Sequence, residues 1–307
     1  MLLVVAESLG SSPGRAGYKM AVGPDGKLIG SIGGGVMEVN LVEQSRAILS
    51  EPPVVAGRLT SFLKPQVHQK HSRNPSGMIC SGKQTVIFRL LTSEDQSDIH
   101  AIIDAIKNRT SALLTIMPSR FNVGPYGDQT QQADFGFEKL SESDFLYFEK
   151  LGPKNDLYII GGGHCALALS ELMSRMDFYI RLFDDRPELN TLDKNKFAHE
   201  IKIVDSYEQI GEFIPSGANA YVVVMTLGYA SDEIVIRSLI DKDFKYFGVL
   251  GSKAKMAVLL KTLENEGFAA DRLARIHTPI GLPINSHTPE EIAVSIAAEI
   301  ISVKNLA

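Results

Sequence analysis

The chain has 307 residues, 44% of them hydrophobic and 22% charged, and carries a net charge of −5. That length accommodates two domains with ordinary cores, and the acidic balance argues against a dedicated partner of nucleic acid or of an anionic membrane. The two cysteines, Cys80 and Cys165, are too few for a disulfide framework and suit a reducing cytosol.

The stretch 1–6 is apolar, but it is short for a signal peptide and no basic residues precede it. No apolar run approaches the length of a membrane span. A cytoplasmic protein is expected. A strand over 2–6 is followed by a hairpin, 19–22 and 28–32, around the turn Pro24-Asp25-Gly26. Gly33-Gly34-Gly35 then leads into an apolar-periodic helix over 37–49, with Glu38 in its first turn and Pro52-Pro53 beyond its end. Two glycine-rich loops, 10–17 and 30–35, therefore flank one hairpin. Such loops can cradle a phosphate with backbone donors, with Arg15 adding charge. Turn formation by itself also accounts for each loop.

Strands are expected over 54–62 and 84–91, joined by a polar, turn-rich connection. His68, His71 and Cys80 lie in it, but a fourth ligand is missing and the spacing fits no zinc pattern, so no metal site is expected. Cys80, in Met78-Ile79-Cys80-Ser81-Gly82, is either an exposed thiol before a strand or a buried structural one. A helix over 94–107, a strand over 113–117, a loop over 120–134 and a strand over 145–149 closing the first sheet complete this half. Leu151-Gly152-Pro153-Lys154-Asn155 reads as the boundary, giving domains over 1–150 and 155–307.

The second half opens on an apolar strand over 157–160, the turn Gly161-Gly162-Gly163-His164, and Ala166, Leu169, Met173 and Met176 at helical spacing. A second strand over 178–183 ends in Asp184 and Asp185. This is the G-x-G-x-x-A fingerprint of a dinucleotide-binding βαβ unit, with Gly161 for the tight turn, Gly163 for approach of a pyrophosphate and Ala166 for close packing. A helix beginning near His164 favours phosphate through its dipole, and Asp184 stands where a carboxylate accepts a ribose. Asp184 repels a 2′-phosphate while Arg186 attracts one, so the choice between NAD and NADP stays open. A βαβ unit that keeps the turn for packing alone is the plain alternative.

Strands over 201–204, 220–225 and 246–250 alternate with helices over 207–213 and 232–239, which calls for a parallel sheet covered on both faces. Thr226-Leu227-Gly228 and Gly251-Ser252-Lys253 fall at its carboxyl edge. Gly251-Ser252, with Lys255 one turn on, is either a second anion site or a helix cap for 253–266. Thr288 and Glu291 form a capping box with Pro289 at N1 of a final helix, whose buried face is Ile292, Ile296, Ile300 and Val303. Glu299, beside that stripe, is read as a solvated edge, and His277 has no evident partner. The fold class is therefore α/β: a C-terminal Rossmann-like parallel sheet with helices on both faces, plus a smaller N-terminal α+β domain.

The pieces GSSPGRAGYKM, GSIGGGVME, GMICSG, IIGGGH, DDRPE, GVLGSKAK, TPIGL and TPEEIAVSIAAEI, in this order, resemble the XdhC/CoxI family over nearly the whole chain. These are accessory factors of xanthine dehydrogenase and related molybdenum hydroxylases. The resemblance implies a cytoplasmic chaperone that binds the molybdenum cofactor (molybdopterin), assists its sulfuration and inserts it into a client molybdenum hydroxylase, with a sulfur donor as a further partner and a homodimer as its form. It places Gly10, Ser11, Arg15, Gly33, Gly34, Gly35, Glu38 and Cys80 on the first domain's family motifs, with Arg15, Gly33, Gly34, Gly35, Glu38 and Cys80 as cofactor-binding residues. On the second domain's it places Gly161, Gly163, His164, Asp184, Arg186, Gly251, Ser252 and Lys255. A large phosphate-bearing anion suits the glycine loops, and a thiolate at Cys80 is a soft ligand for molybdenum or a handler of sulfur. The family's Thr-His-Gly carries Leu227 in place of histidine here, and Pro283 and Asn285-Ser286-His287 also depart from its pattern. The helix that usually precedes the first strand is missing from this sequence. Leucine cannot titrate, which weakens any catalytic role at that point. The competing functions are an NAD(P)-dependent oxidoreductase of unknown substrate and a nucleotide sensor without turnover; neither has an evident acid or base beside a nicotinamide.

Overall fold

The computed structural model describes residues 1–10, 12–50, 60–67, 82–108, 110–126, 135–141, 143–152 and 154–306. The chain divides into two compact units, Met1–Gly152 and Pro153–Ala307.

The first unit contains strands β1 (Leu2–Gly10), β2 (Lys19–Val22) and β3 (Leu28–Gly30), helix α1 (Gly35–Ser50), strands β4 (Ser61–Val67) and β5 (Gly82–Arg89) and helix α2 (Gln96–Asn108). Strands β6 (Ala112–Ile116), β7 (Phe121–Pro125), β8 (Phe135–Lys139) and β9 (Phe145–Leu151) follow. They build two antiparallel sheets, ordered β3-β2-β1-β5-β4 and β7-β6-β9-β8. Successive residues of a strand face opposite ways, and β1 uses both faces. Leu3 and Val5 pack with Leu41 and Val42 of α1, whereas Val4 and Ala6 pack with Leu114, Ile116, Phe145 and Tyr147 of the other sheet. Two expectations need correction here. The 120–134 loop contains β7, and 145–149 does not close the first sheet but lies inside a second one. Gly124 and Asn122 read as turn residues, yet Phe121 and Val123 reach the same core as β6.

The second unit contains β10 (Asn155–Ile160), α3 (His164–Met173), β11 (Phe178–Asp184), α4 (Asn190–Lys194), β12 (Glu200–Ile203), α5 (Ile210–Phe213), β13 (Gly217–Val224) and α6 (Tyr229–Leu239). It ends with β14 (Phe244–Val249), α7 (Lys253–Asn265), α8 (Ala270–Leu273), β15 (Ile276–His277) and α9 (Pro289–Asn305). The six strands form one parallel sheet, ordered β12-β11-β10-β13-β14-β15. Counted along the chain this is the doubly wound order 3-2-1-4-5-6. The apolar runs of β10 and β13 are buried on both faces, as such a sheet requires. One face carries α6 and α7, the other α3 and α9. The capping box of α9 forms as expected, with Thr288 accepting from Glu291 N and Glu291 reaching back. Helix α3 stops at Met173, one turn short of the expected periodicity, and Met176 still packs on the same core from the turn beyond.

Candidate functional site

In a parallel sheet of this order the crevice opens where the winding reverses, between the carboxyl ends of β10 and β13. The loop after β10 is set by its glycines. Gly161 has φ +104°, and a Cβ there would stand 2.3 Å from the Met225 carbonyl oxygen. A Cβ on Gly162 would stand 2.4 Å from Leu192 Cδ2. Gly161 is therefore required by the protein's own packing, whereas a side chain at Gly162 would have to displace the end of Leu192. Gly163 differs: a Cβ would meet nothing within 4 Å. Gly163 is the N-cap of α3, and no side chain caps the helix there. The first-turn N–H groups of α3, beginning at His164, are thus left to an external acceptor, with the helix dipole adding positive potential.

Asp184, at the tip of β11, does something other than expected. Its carboxylate is fully buried and accepts four bonds: Gly162 N at 2.6 Å and Arg186 Nη2 at 2.8 Å on Oδ2, and Arg186 N and Nε, both at 2.9 Å, on Oδ1. A carboxylate has about four acceptor positions, so a ribose finds none free. Burial works to raise its pKa, but the bonds from Arg186 and the Gly162 amide outweigh it and hold Asp184 below the ordinary carboxylate value. The bond to Asp184 in turn raises the Arg186 guanidinium. Arg186 keeps a third of its side chain exposed and also faces Asp185 at 3.7 Å. The Asp184–Arg186 pair is a latch on the glycine turn.

Across the switch point, Leu227 is 80% exposed at the tip of the loop after β13. Below it, buried Asp232 accepts from the Thr226 hydroxyl at 2.6 Å and from Thr226 N at 3.3 Å. Burial raises the Asp232 carboxyl despite those bonds and the charge of Lys255. The Gly251-Ser252 turn is a helix cap: Ser252 accepts from Lys255 N, and a Cβ on Gly251 would collide with Met256 Sδ at 2.6 Å. Lys255 lies over the Tyr229 ring. Beside His164, α3 and α9 enclose a groove of about 400 Å³ that includes Leu167, Ala293 and Val294. Burial and the neighbouring Glu290 raise the Cys165 thiol, which makes it a poor nucleophile.

In the first unit the two glycine loops press against each other. A Cβ on Gly14 would stand 2.2 Å from the Ile32 oxygen, and one on Gly33 2.4 Å from Gly14 N. Several amides of the second loop are already engaged. Glu38 Oε2 accepts from Ile32 N at 2.8 Å, Gly34 N at 3.0 Å and Ser31 Oγ at 2.7 Å, and Gly33 N donates to Ser31 Oγ. Burial would raise Glu38, but these bonds prevail and lower it. In this structure the Gly33 and Gly34 amides are thus directed to Ser31 and Glu38 of the protein itself. Gly34, at φ +76° with open space around it, and Gly35, at φ +71°, serve the turn into α1. Arg15 is exposed. Cys80, Ser11, His68 and His71 lie outside the described residues.

Glu299 and His277 are the residues that sequence reasoning missed. Glu299 is not solvated: it accepts from Tyr246 OH at 2.5 Å and Gly281 N at 2.8 Å, and lies 3.3 Å from His277 Nδ1. Its place among Ile292, Ile296, Ile300 and Val303 was the available signal, since a carboxylate inside an apolar stripe needs partners. Among the described residues no group of three or more His, Cys, Asp or Glu is arranged to hold a metal, and no helix is long and apolar enough to cross a membrane.

Comparison with known proteins adds an independent line. Residues 157–300 match the profile of the XdhC Rossmann domain, and residues 1–56 that of the XdhC and CoxI family. The chain is 24% identical over 305 residues to the uncharacterized protein YqeB of Escherichia coli K12, covering 98% of this chain but 43% of that one. It thus spans less than half the length of that relative. It is also 24% identical over 323 residues to a probable xanthine dehydrogenase subunit of Bacillus subtilis 168, covering 99% of this chain and 93% of that one. A solved structure from Bacillus halodurans, described as a xanthine dehydrogenase, superimposes with a TM-score of 0.72 at 22% identity, over 99% of this chain and 90% of its own. At that identity the likeness speaks for the fold.

Proposed function

Because this chain belongs to the XdhC/CoxI family, we propose that it is an accessory factor for a xanthine dehydrogenase-type molybdenum hydroxylase. In this proposal it binds the molybdenum cofactor, assists its sulfuration and passes it to the client. The observation that carries the proposal is the uncapped start of α3 at the winding reversal of a doubly wound sheet, with Gly163 open to its surroundings. That seat suits a phosphate or diphosphate, the anionic end of a molybdopterin or of its dinucleotide form. When bound, the cofactor supplies the redox-active metal centre that the client needs. The chain's own part is to hold the phosphate at the His164 end of α3, with the Asp184–Arg186 latch keeping the turn in shape. Cys80 enters the proposal as the soft ligand or sulfur-handling thiol.

The rival function, an NAD(P)-dependent oxidoreductase, is disfavoured by two features. Asp184 has no acceptor to spare for a ribose, and leucine stands at 227 where the family's histidine would titrate. The test is to purify the protein from cells that make the cofactor and to record pterin fluorescence and molybdenum content, with and without Cys80→Ser. Retained pterin that activates an apo-hydroxylase is expected. NADH consumption with simple carbonyl substrates and no retained pterin would favour the oxidoreductase. Light scattering of the same sample checks the proposed homodimer.

A further inference from the structure

We propose that the cleft beside β14 and β15 is a second binding site, one for a small phosphate-bearing anion. The cleft has a volume of about 260 Å³ and is lined by Lys242, Lys245, Tyr246, Arg272, Arg275 and His277, with an apolar floor from Ile240, Phe244 and Phe247. Lys242 lies in the turn before β14 and Lys245 near its start, while Arg272 lies in α8 and Arg275 just before β15. They therefore stand at the amino edge of the parallel sheet, the end opposite the glycine turn.

Four cations converge here on little negative charge. Arg272 and Arg275 both donate from Nη1 to the same oxygen, Asp243 Oδ1, at 2.8 and 2.6 Å. Each guanidinium has five N–H donors in a fixed fork, so most of them remain for a ligand. Lys242 Nζ donates to the carbonyls of Gly211 at 2.5 Å and Ile214 at 2.7 Å, which fixes its ammonium and leaves one proton over. Lys245 has no hydrogen-bond or ion-pair partner among the described residues. Two fixed guanidiniums and two ammoniums suit tetrahedral phosphate oxygens, which accept bidentate contacts.

His277 gives the cleft its second kind of contact. Its Nδ1 meets Glu299 Oε1, while Tyr246 OH and Gly281 N hold the other Glu299 oxygen. The imidazole is thereby clamped through a carboxylate that is itself clamped, and its Nε2 is left for the ligand. That nitrogen is the ring's remaining polar atom for a phosphate oxygen. The volume lies below the usual range of about 300–1,000 Å³ for sites of drug-sized ligands. It suits phosphate, diphosphate or a small phosphate ester.

Titration of the full chain with inorganic phosphate and diphosphate at low ionic strength, by calorimetry and by NMR of the histidine ring nitrogens, tests this. Saturable binding is expected, with the His277 ring signals moving. Lys245→Glu, on a half-buried side chain without partners, is expected to weaken binding about tenfold or more (one factor of ten is ~1.4 kcal/mol) while thermal melting is unchanged. His277→Gln is expected to weaken it less and to abolish the ring signal. No saturable binding, binding indifferent to Lys245→Glu, or equal competition by chloride would overturn the proposal. Retention of pterin by Lys245→Glu protein separates this site from the seat at α3, and loss of retention would overturn the claim that the cleft binds its ligand independently.

Discussion

Asp184 Oδ2 accepts the amide of Gly162, 22 residues earlier in the chain, at 2.6 Å. The contact joins the tip of β11 to the turn that opens α3. It turns the acidic residue of a dinucleotide fingerprint into a support for the turn itself. In the proposed function, where the fingerprint acid faces inward, an anionic guest is held by the helix start and by Arg186 rather than by Asp184.

Asp184→Asn should lower stability by about 2–4 kcal/mol, because it leaves the partly buried guanidinium of Arg186 and the Gly162 amide poorly paired. The pH dependence follows from the sign of the shift. The native carboxyl titrates below its ordinary value of 3.8, so its contribution is complete above that value and fades as pH falls through the native one. Urea midpoints measured from neutral pH down to strongly acid conditions should drop in the parent below that range, with a shallower drop in the Asn variant.

Glu38→Ala should destabilise the first unit by roughly 1–3 kcal/mol, since it strips the Ile32 and Gly34 amides and the Ser31 hydroxyl of one shared acceptor. Glu38→Gln keeps an acceptor oxygen and should recover part of the loss. Thermal unfolding of the three proteins ranks them. If the alanine variant matches the parent, the loop holds its shape without the carboxylate.

Gly161→Ala and Gly163→Ala should behave oppositely, although both glycines belong to one motif. The first places a methyl against the Met225 carbonyl at a positive φ and should cost more than about 2 kcal/mol or prevent folding. The second enters open space at φ −68° and should change stability by less than about 1 kcal/mol. Soluble yield and denaturation midpoints distinguish them.

Tyr246 should resist ionisation. Burial, with Glu299 beside it, pushes its phenol well above the ordinary value of 10. Titration of phenolate absorbance should therefore show this tyrosine silent until the protein unfolds in alkali. Tyr246→Phe removes one donor to Glu299 and should cost about 1–2 kcal/mol.

The sequence made the backbone plan of the second unit legible because its signals are local. An apolar strand, a glycine turn, helical spacing and a capping box each depend on a few neighbouring residues, and β10, α3, β11 and α9 follow them. What occupies the glycine turns was not legible. Glu38 lies one helical turn past Gly34, and Asp184 22 residues past Gly162. Whether such carboxylates face a guest or their own loop is decided by packing around Ile32 and Leu192. Glu299 and His277 were missed for the same reason: their partners Tyr246 and Gly281 come from separate elements. In the first unit, β7 and β8 are hard to read from sequence because glycine and asparagine break an apolar pattern that only the finished second sheet completes.

The central claim, that an anionic cofactor is held at the uncapped start of α3, is tested most directly by Gly163→Asp. Aspartate is a favoured N-cap at this backbone conformation, so the variant should fold at least as well as the parent while its carboxylate fills the seat. Pterin fluorescence retained after gel filtration is the measurement. Gly163→Asp is expected to melt no lower than the parent and to lose most of its pterin. A variant equally stable that keeps its full pterin complement would contradict the claim.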